Sequence, residues 1–585
     1  MMRTLPMRFF EQAGLLSDRT LFAARQSNGW ETMTWSDAQI QVEHAMRALR
    51  EAGIEPGDRV LLLAENRPEW AIFDLAIMAV GALVVPAYTT HTVHDLQYIL
   101  QLTTPTAAFV SSAELTDRVL AANVEADTLK QLWSAEPEGI EKPRWHTQVS
   151  GWRDILNSGK SDSHDPDILY AAKPDDPCCL IFTSGTGGHP KAAILTHRSI
   201  GSNVDAAAHI LRTHGFGADD RFLSFLPLAH AYEHTAGLHL PISLGAEVWY
   251  CDSTDKLQTY LGEVRPTLAT AVPRLYDLLY SRIQGQVRTS SGLKSKLFHS
   301  AVSIGLKKLD QTPLTLLERL IDPVLDRLVR QKVRARFGGR LRFFISGGAP
   351  LNPDVGRFFT SLGLGILQGY GQTEASPLIS VNTPDANKLD TVGKPFPGVD
   401  IRVADDGELV VRGDLVMQGY WNDPLATEAV LRDGWLHTGD LARIDEDGFI
   451  EIIGRKKDLL ITSGGDNIAP AKLEALLTLQ DEIDQAVVIG DRRPWLSAIL
   501  VPAAQLLETT TSSEQCIAAL EHALKRVNDR LGPTEKIRKF IVHQIPFSTD
   551  NGLLTPTQKV RRQFVIDALR VEIDQLYRGN PSSES

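Results

Sequence analysis

Cysteine is scarce in this sequence. Four occur among 585 residues (Cys178, Cys179, Cys251, Cys516), and none stands at a CxxC or metal-ligand spacing. That argues against a disulfide framework and fits a reduced, cytoplasmic protein in which Cys178 and Cys179 are small buried residues. A long apolar run is also missing. The most apolar segment, 71–88, is interrupted by Asp74 and ends near Pro86. It is too short for a membrane span and reads as a buried helix followed by a strand. The N-terminal Met-Met-Arg-Thr-Leu-Pro-Met-Arg-Phe-Phe-Glu lacks the apolar core of a signal peptide. Positive charge is not in excess: 60 Lys and Arg against 72 Asp and Glu give a net charge of −12. General nucleic-acid binding is therefore not expected, although a local basic face remains open. No internal repeat, low-complexity tract or Ser-His-Asp set is visible.

What is present is length and alternation. A chain of 585 residues exceeds one ordinary core, so at least two domains are expected. Apolar spacing predicts a helix over 36–53 with Ser36 as its N-cap, then a buried strand after Gly57. A helix at 67–81, a strand at 82–87, a helix at 92–102 and a strand at 106–111 follow. Helices alternating with continuous apolar strands imply a mostly parallel, doubly wound α/β sheet. Residues 120–166, polar and acidic, read as peripheral structure. The last 130 residues or so alternate again, in a pattern compact enough for a small α+β domain.

Between these parts lies Leu180-Ile-Phe-Thr-Ser-Gly-Thr-Gly-Gly-His-Pro-Lys191, an apolar strand opening into hydroxyls and glycines and closing on a lysine. Glycines let backbone N–H groups approach an anion, and the lysine adds compact positive charge. This is not a Walker loop, because Ala192 stands where a Mg²⁺-binding hydroxyl would be. Alone, it is also readable as a Gly-rich surface turn. A second Gly-rich turn, Phe343-Phe-Ile-Ser-Gly-Gly-Ala-Pro-Leu351, ends a strand where an open sheet places ligands. Residues 282–342 form a long helical insert with fourteen Lys and Arg against Asp310, Glu318, Asp322 and Asp326. That segment is either a solvated face or a surface for anionic lipid headgroups or the phosphates of CoA.

Thr183-Ser-Gly-Thr-Gly-Gly-His-Pro-Lys191 resembles the phosphate loop of the AMP-forming acyl-adenylate enzymes. Gly187 and Ala192 depart from the usual threonine and glycine, which bears on loop geometry. Gln368-Gly-Tyr-Gly-Gln-Thr-Glu374, Gly434-Trp-Leu-His-Thr-Gly-Asp440, Gly454-Arg-Lys-Lys-Asp458 and Asn551-Gly-Leu-Leu-Thr-Pro-Thr-Gln-Lys-Val-Arg-Arg562 extend the resemblance over nearly the whole chain, in family order. Within the family, Arg221-Phe-Leu-Ser-Phe-Leu-Pro-Leu-Ala-His-Ala-Tyr-Glu-His and Val272-Pro-Arg-Leu-Tyr-Asp look most like bacterial long-chain fatty acyl-CoA synthetases.

The resemblance implies a large N-terminal adenylate-forming domain over 1–456 and a small mobile C-terminal domain over 457–585. It assigns Thr183, Ser184, Gly185, Thr186 and Lys191 to nucleotide phosphates. Gly348, Ala349 and Pro350 would pack on adenine, Tyr370 would stack on it, and Thr373 would reach the α-phosphate. Glu374 would ligate Mg²⁺, while Asp440 and Arg455 would hold ribose. His230 would lie beside the substrate carboxylate, Lys457 would be the hinge, Gly465 would line the thiol's path, and Lys559 would bridge carboxylate and α-phosphate. A lone histidine such as His230 is otherwise more often structural. The implied substrates are ATP, a medium- or long-chain fatty acid and coenzyme A, with Mg²⁺. An oxidative luciferase, an acyl-AMP ligase serving a carrier protein and a non-catalytic nucleotide sensor compete with this reading.

Overall fold

The computed structural model describes residues 3–137, 147–158, 172–183, 190–290, 292–463, 466–510, 512–555 and 559–578. Two large sheets and the helices between them build the N-terminal region. The first sheet runs in the order Gly419–Tyr420, Lys191–Thr196, Pro177–Thr183, Leu83–Pro86, Arg59–Leu63, Ala107–Val110, Gln131–Ser134, Gln148–Gly151. Its central strands are parallel. The second orders Lys394–Pro395, Leu378–Val381, Gly365–Gly371, Phe343–Ser346, Leu268–Ala271, Arg221–Ser224, Glu247–Tyr250, Thr20–Gln26 and Gly29–Thr34. Both faces of the first sheet are buried. Val60, Leu62 and Val84 point into one core, and Leu61, Leu63, Leu83 and Val85 into another. This explains why the strands read as continuous apolar runs rather than as alternating ones.

The helix Pro68–Ala79 is apolar on every side because both sheets cover it. Trp70, Phe73 and Ile77 share one cluster with Val60 and Ile181 from the first sheet and Val248 and Tyr250 from the second. Its first turn carries Glu69, paired with Arg67, but its second acid, Asp74, is fully buried and lies 2.9 Å from His234 Nε2 and 3.3 Å from His239 Nε2. Burial opposes ionisation of Asp74, yet the charges and hydrogen bonds of His234 and His239 win and hold it at about 2. Both histidines sit on the π-turn His234–His239, so this trio ties the buried helix to the segment that follows Pro227.

Three expectations are corrected. The helix Trp35–Glu51 is capped by Thr34 rather than Ser36. Asp37 N–H donates to Thr34 Oγ1 at 3.1 Å, and Thr34 N–H donates back to Asp37 Oδ2 at 3.1 Å. Residues 120–166 are not merely peripheral, since Gln131–Ser134 and Gln148–Gly151 extend the first sheet to its edge. The run beginning at Arg221, which the sequence suggests is a strand that breaks at Pro227, is a strand only to Ser224.

After a smaller sheet built around Glu408–Arg412 and Trp435–Ile444, the C-terminal domain follows. It holds the hairpin Leu460–Ile461/Asn467–Ile468 and the three strands Ile483–Ile489, Leu496–Pro502 and Ile537–Val542, packed on Pro470–Thr478 and Ser513–Asn528. Exposed ion pairs dock it on the large domain: Arg274–Asp484 at 3.3 Å, Arg288–Asp481 and Arg530–Asp354. No helix among the described residues is long and apolar enough to cross a membrane.

Burial makes this fold acid-labile. It pushes His91, His197 and His230 down to about 4 and also lowers His239 and His543. All five take up protons near pH 6.5 when the chain unfolds, so their contribution is present above that value and fades as the pH falls toward 4. Glu233, raised to about 7, Asp277, raised to about 6, and Asp440, also raised, act in the opposite sense, but they are three against five. The urea midpoint should therefore be lower at pH 5 than at pH 7.5; a midpoint that rises on acidification would contradict the balance.

Candidate active site

The predicted phosphate loop springs from a strand pair whose register sets its two ends. Thr183 and Lys191 are cross-strand partners in the antiparallel pair Pro177–Thr183/Lys191–Thr196. Ser184, Gly185 and Thr186 lie outside the described residues, as does Gly465. Lys191 is exposed, with its Nζ 4.9 Å from the ring centroid of Tyr420, a cation–π contact. Tyr420 belongs to the short strand pairing with the other edge of Lys191–Thr196, and its hydroxyl donates to Glu374 Oε1 at 2.7 Å. Lys191 and Glu374 are thus held on either side of one tyrosine. Tyr420 was missed from the sequence because its role exists only across strands and no motif marks it.

Thr373 and Glu374 lie on the 3₁₀ turn Thr373–Ala375. Buried Asn203, on the helix His197–Thr213, braces that turn from behind. Its Nδ2 donates to the carbonyl of Ala375 at 3.2 Å and its Oδ1 accepts from Leu378 N–H at 2.6 Å. Short polar contacts replace regular pairing here, so the carboxylate sits on an irregular turn yet in a fixed place.

Asp440 and Arg455 are direct partners between Trp435–Ile444 and Ile450–Arg455, with Arg455 Nε 3.2 Å from Asp440 Oδ1. The hydroxyl of Tyr370 donates to Asp440 Oδ2 at 2.5 Å. Burial pushes the Asp440 carboxyl up, while Arg455, Tyr370 and Lys559 pull it back. Gly348 adopts φ +82°, a conformation that favours glycine, and with Ala349 and Pro350 it forms an open rim. Behind the rim, a Cβ on Gly347 would stand 3.2 Å from the ring of Tyr232, so this wall is built on close backbone approach.

His230 caps the short helix Ala231–Glu233, its Nδ1 accepting from Tyr232 N–H at 3.2 Å. Burial first, then the charge of Lys559, pushes His230 down to about 4. The ring is neutral at pH 7, and with Nδ1 accepting, its proton resides on Nε2. Lys559 comes from the C-terminal domain. Thr555 N–H donates to its carbonyl at 2.8 Å, and its own N–H donates to Thr555 Oγ1 at 3.0 Å. Solvent reaches the side chain within the cleft, but protein crowds it there. That crowding, followed by Arg455, lowers the ammonium from the usual lysine range, while Asp440 and Glu374 raise it. Lys457 is exposed in the turn beyond Ile450–Arg455; its neighbours' N–H groups are bonded to Gly439 and Arg455, and no partner holds its own among the described residues.

Three cations, two carboxylates and a neutral imidazole therefore converge from two domains, an arrangement suited to a polyanion that also carries hydroxyls. Residues 9–421 match a family described as AMP-binding enzyme, and residues 457–581 match one described as AMP-binding enzyme C-terminal domain. The chain belongs to the AMP-binding enzyme family. Among its relatives is the long-chain-fatty-acid–CoA ligase FadD15 of Mycobacterium tuberculosis, 34% identical over 569 residues, or 94% of this chain and 92% of the relative. The peroxisomal long chain acyl-CoA synthetase 6 of Arabidopsis thaliana is 31% identical over 593 residues, covering 95% and 83%. The adenylation domain of a carboxylate reductase from Mycobacterium chelonae shares the fold, with a TM-score of 0.80 at 22% identity over 99% of this chain and 91% of that one.

For an AMP-binding enzyme of this geometry, Asp440→Ala removes an ionised acceptor next to Arg455. Such bonds contribute about 1.5–3 kcal/mol, so AMP affinity should fall by roughly 10- to 100-fold in titration calorimetry. An unchanged Kd would remove Asp440 from the nucleotide site.

Proposed function

We propose that this protein is an AMP-forming fatty acid:CoA ligase acting on medium or long chains. The observation that carries the reading is Lys559, delivered by the C-terminal domain into a cleft walled by Glu374, Asp440, Arg455 and His230. A carboxylate is a poor acyl donor because its departing oxide is too basic. One of its oxygens therefore attacks the α-phosphorus of ATP, and the bond to pyrophosphate breaks, leaving acyl-AMP. Two anions must meet for this, so the site has to concentrate positive charge where charge develops. Lys191 faces the β- and γ-phosphates, Lys559 bridges carboxylate and α-phosphate, and His230 offers an Nε2 proton to the carboxylate. Asp440 and Arg455 hold ribose against Tyr370.

Glu374 fits a Mg²⁺ ligand. Tyr420 takes one of its oxygens, no cation pairs with it among the described residues, and Mg²⁺ commonly takes one or two carboxylates beside nucleotide phosphates. Bound there, the ion would neutralise phosphate charge. In the second step the thiol of CoA bonds to the acyl carbon, the acyl–oxygen bond breaks, AMP leaves and the thiol proton passes to solvent.

One assay format tests the reading. Pyrophosphate and AMP release are followed across acids from acetate to oleate, with CoA and with a carrier protein as acceptors. Chains of about eight carbons or longer should win, with CoA required for turnover; acetate or an aromatic acid leading the panel would refute the substrate class. In the same assay Lys559→Ala should slow acyl-AMP formation by roughly 10²–10³-fold, the cost of losing one preorganised charge donor, and spare transfer from preformed acyl-AMP.

Adenylation and thiol delivery share one acyl-AMP, so Lys559 must withdraw between them. We place the hinge at Lys457, in keeping with domains spanning 1–456 and 457–585. Its N–H makes no hydrogen bond among the described residues, so Lys457→Pro costs no such bond there while fixing φ near about −65°. The variant should fold and form acyl-AMP but lose thioester formation. Parallel losses in the two half-reactions would place the hinge elsewhere.

A further inference from the structure

Within the basic insert, the helix Leu316–Leu325 and its continuation Asp326–Arg330 cross the helix Gly292–Leu309. The inner side of this hairpin is accounted for: Leu325, Ile321 and Val329 pack on Ala301 and Ile304. Gly305 lets Gly292–Leu309 sit close against Pro353–Ser361, since a Cβ there would lie 2.2 Å from the carbonyl oxygen of Ser361. The outer side is also apolar, and none of the described residues covers it. Leu316, Leu317, Leu320, Val324 and Leu328 are 80%, 68%, 75%, 54% and 44% exposed. At 3.6 residues per turn the first four fall within an arc of about 100°, and Leu328 extends the row to about 18 Å. Single exposed leucines are ordinary, but a continuous stripe of five marks an interaction surface.

Charge identifies the occupant. All four acids of residues 282–342 are already paired: Asp310 with Arg357, Glu318 with Lys307, Asp322 with Lys308 and Arg330, and Asp326 with Arg334. Exposed Arg319 and Arg327, on the helix itself, and Lys332, Lys294 and Lys296 close by make no ion pair among the described residues. Among residues 282–342 the charge left unpaired is therefore positive. A second copy of the chain meeting this face isologously would press like charges together. An anionic lipid surface satisfies both features, with leucines entering the acyl boundary while the long basic side chains reach headgroup phosphates.

We propose that the helix 316–328 is a membrane-docking ridge that lies in the interface of an anionic bilayer, leucine stripe inward. The charge count alone allowed an anionic surface; the exposed stripe assigns the inserting face. The proposal does not depend on the catalytic reading, and its test reads binding rather than turnover.

The full-length protein is sedimented with vesicles of phosphatidylcholine, with and without phosphatidylglycerol, at rising salt. It should bind the phosphatidylglycerol vesicles, and salt should weaken binding as the Debye length shrinks below about 8 Å. Leu317→Ser/Leu320→Ser should lower affinity by about tenfold or more, because two apolar side chains no longer leave water. Arg319→Glu/Arg327→Glu should abolish the preference for phosphatidylglycerol. These residues are exposed, so melting temperature should hold. Absence of wild-type binding, or equal binding by the leucine variant, overturns the ridge. So does a dimer in light scattering that the leucine variant dissolves, since the stripe would then belong to a second copy.

Discussion

An ammonium group carried by one domain completes a site whose walls belong to another. Lys559 is held by its backbone to Thr555 of the C-terminal domain, while its ammonium feels Arg455, Asp440 and Glu374 of the large domain. Much of the surrounding architecture can be read as preparation for that arrival. Asp440 and Arg455 occupy opposite strands in direct register, so their pairing is set by the sheet rather than by flexible side chains. Glu374 is pinned by Tyr420 in front and its turn by Asn203 behind. Preorganisation of this kind is what lets charge stabilise a transition state without rearranging at the moment of reaction.

The same principle shapes the interior. Asp74 lies where two sheets and a buried helix meet, a place where an unpaired carboxylate would be very costly. His234 and His239 are spaced by a π-turn so that both imidazoles reach it. That turn begins four residues after His230, so the packing that satisfies the buried carboxylate also fixes the backbone from which His230 faces the cleft.

The sequence exposed strong local patterns and concealed cross-strand ones. The apolar run ending at Phe182, the helix Pro68–Ala79 and the alternation of the C-terminal domain were legible because burial on several sides leaves little choice of residue. Gln131–Ser134 and Gln148–Gly151 were not, since four-residue strands carrying Gln and Ser have too weak a period to separate from loop. The cap at Thr34 was displaced to Ser36 because both hydroxyls precede the apolar pattern, and only the reciprocal bond with Asp37 distinguishes them. Most residues of the candidate site were named through motifs, including Lys191, Glu374, Asp440 and Lys559. Tyr420 was not, because its hydroxyl spans 46 residues of sequence to reach Glu374. The leucines at 316–328 belong to a helix apolar on two faces, and periodicity cannot say which of them another helix will cover.

The docking of the C-terminal domain carries a consequence for how finely this molecule is poised. Among the described residues its three ion pairs to the large domain are all substantially exposed, and Leu479 is the one partly buried apolar side chain that joins the large-domain cluster. Exposed pairs contribute about 0–1 kcal/mol each, too little to hold separate molecules together. They suffice here because a short covalent tether keeps the partner surfaces at an effective concentration on the order of millimolar. Under the proposed hinge motion, covalent continuity rather than interface strength would set how often the domain is docked. Weak contacts of this sort leave the arrangement free to be biased by whatever occupies the cleft.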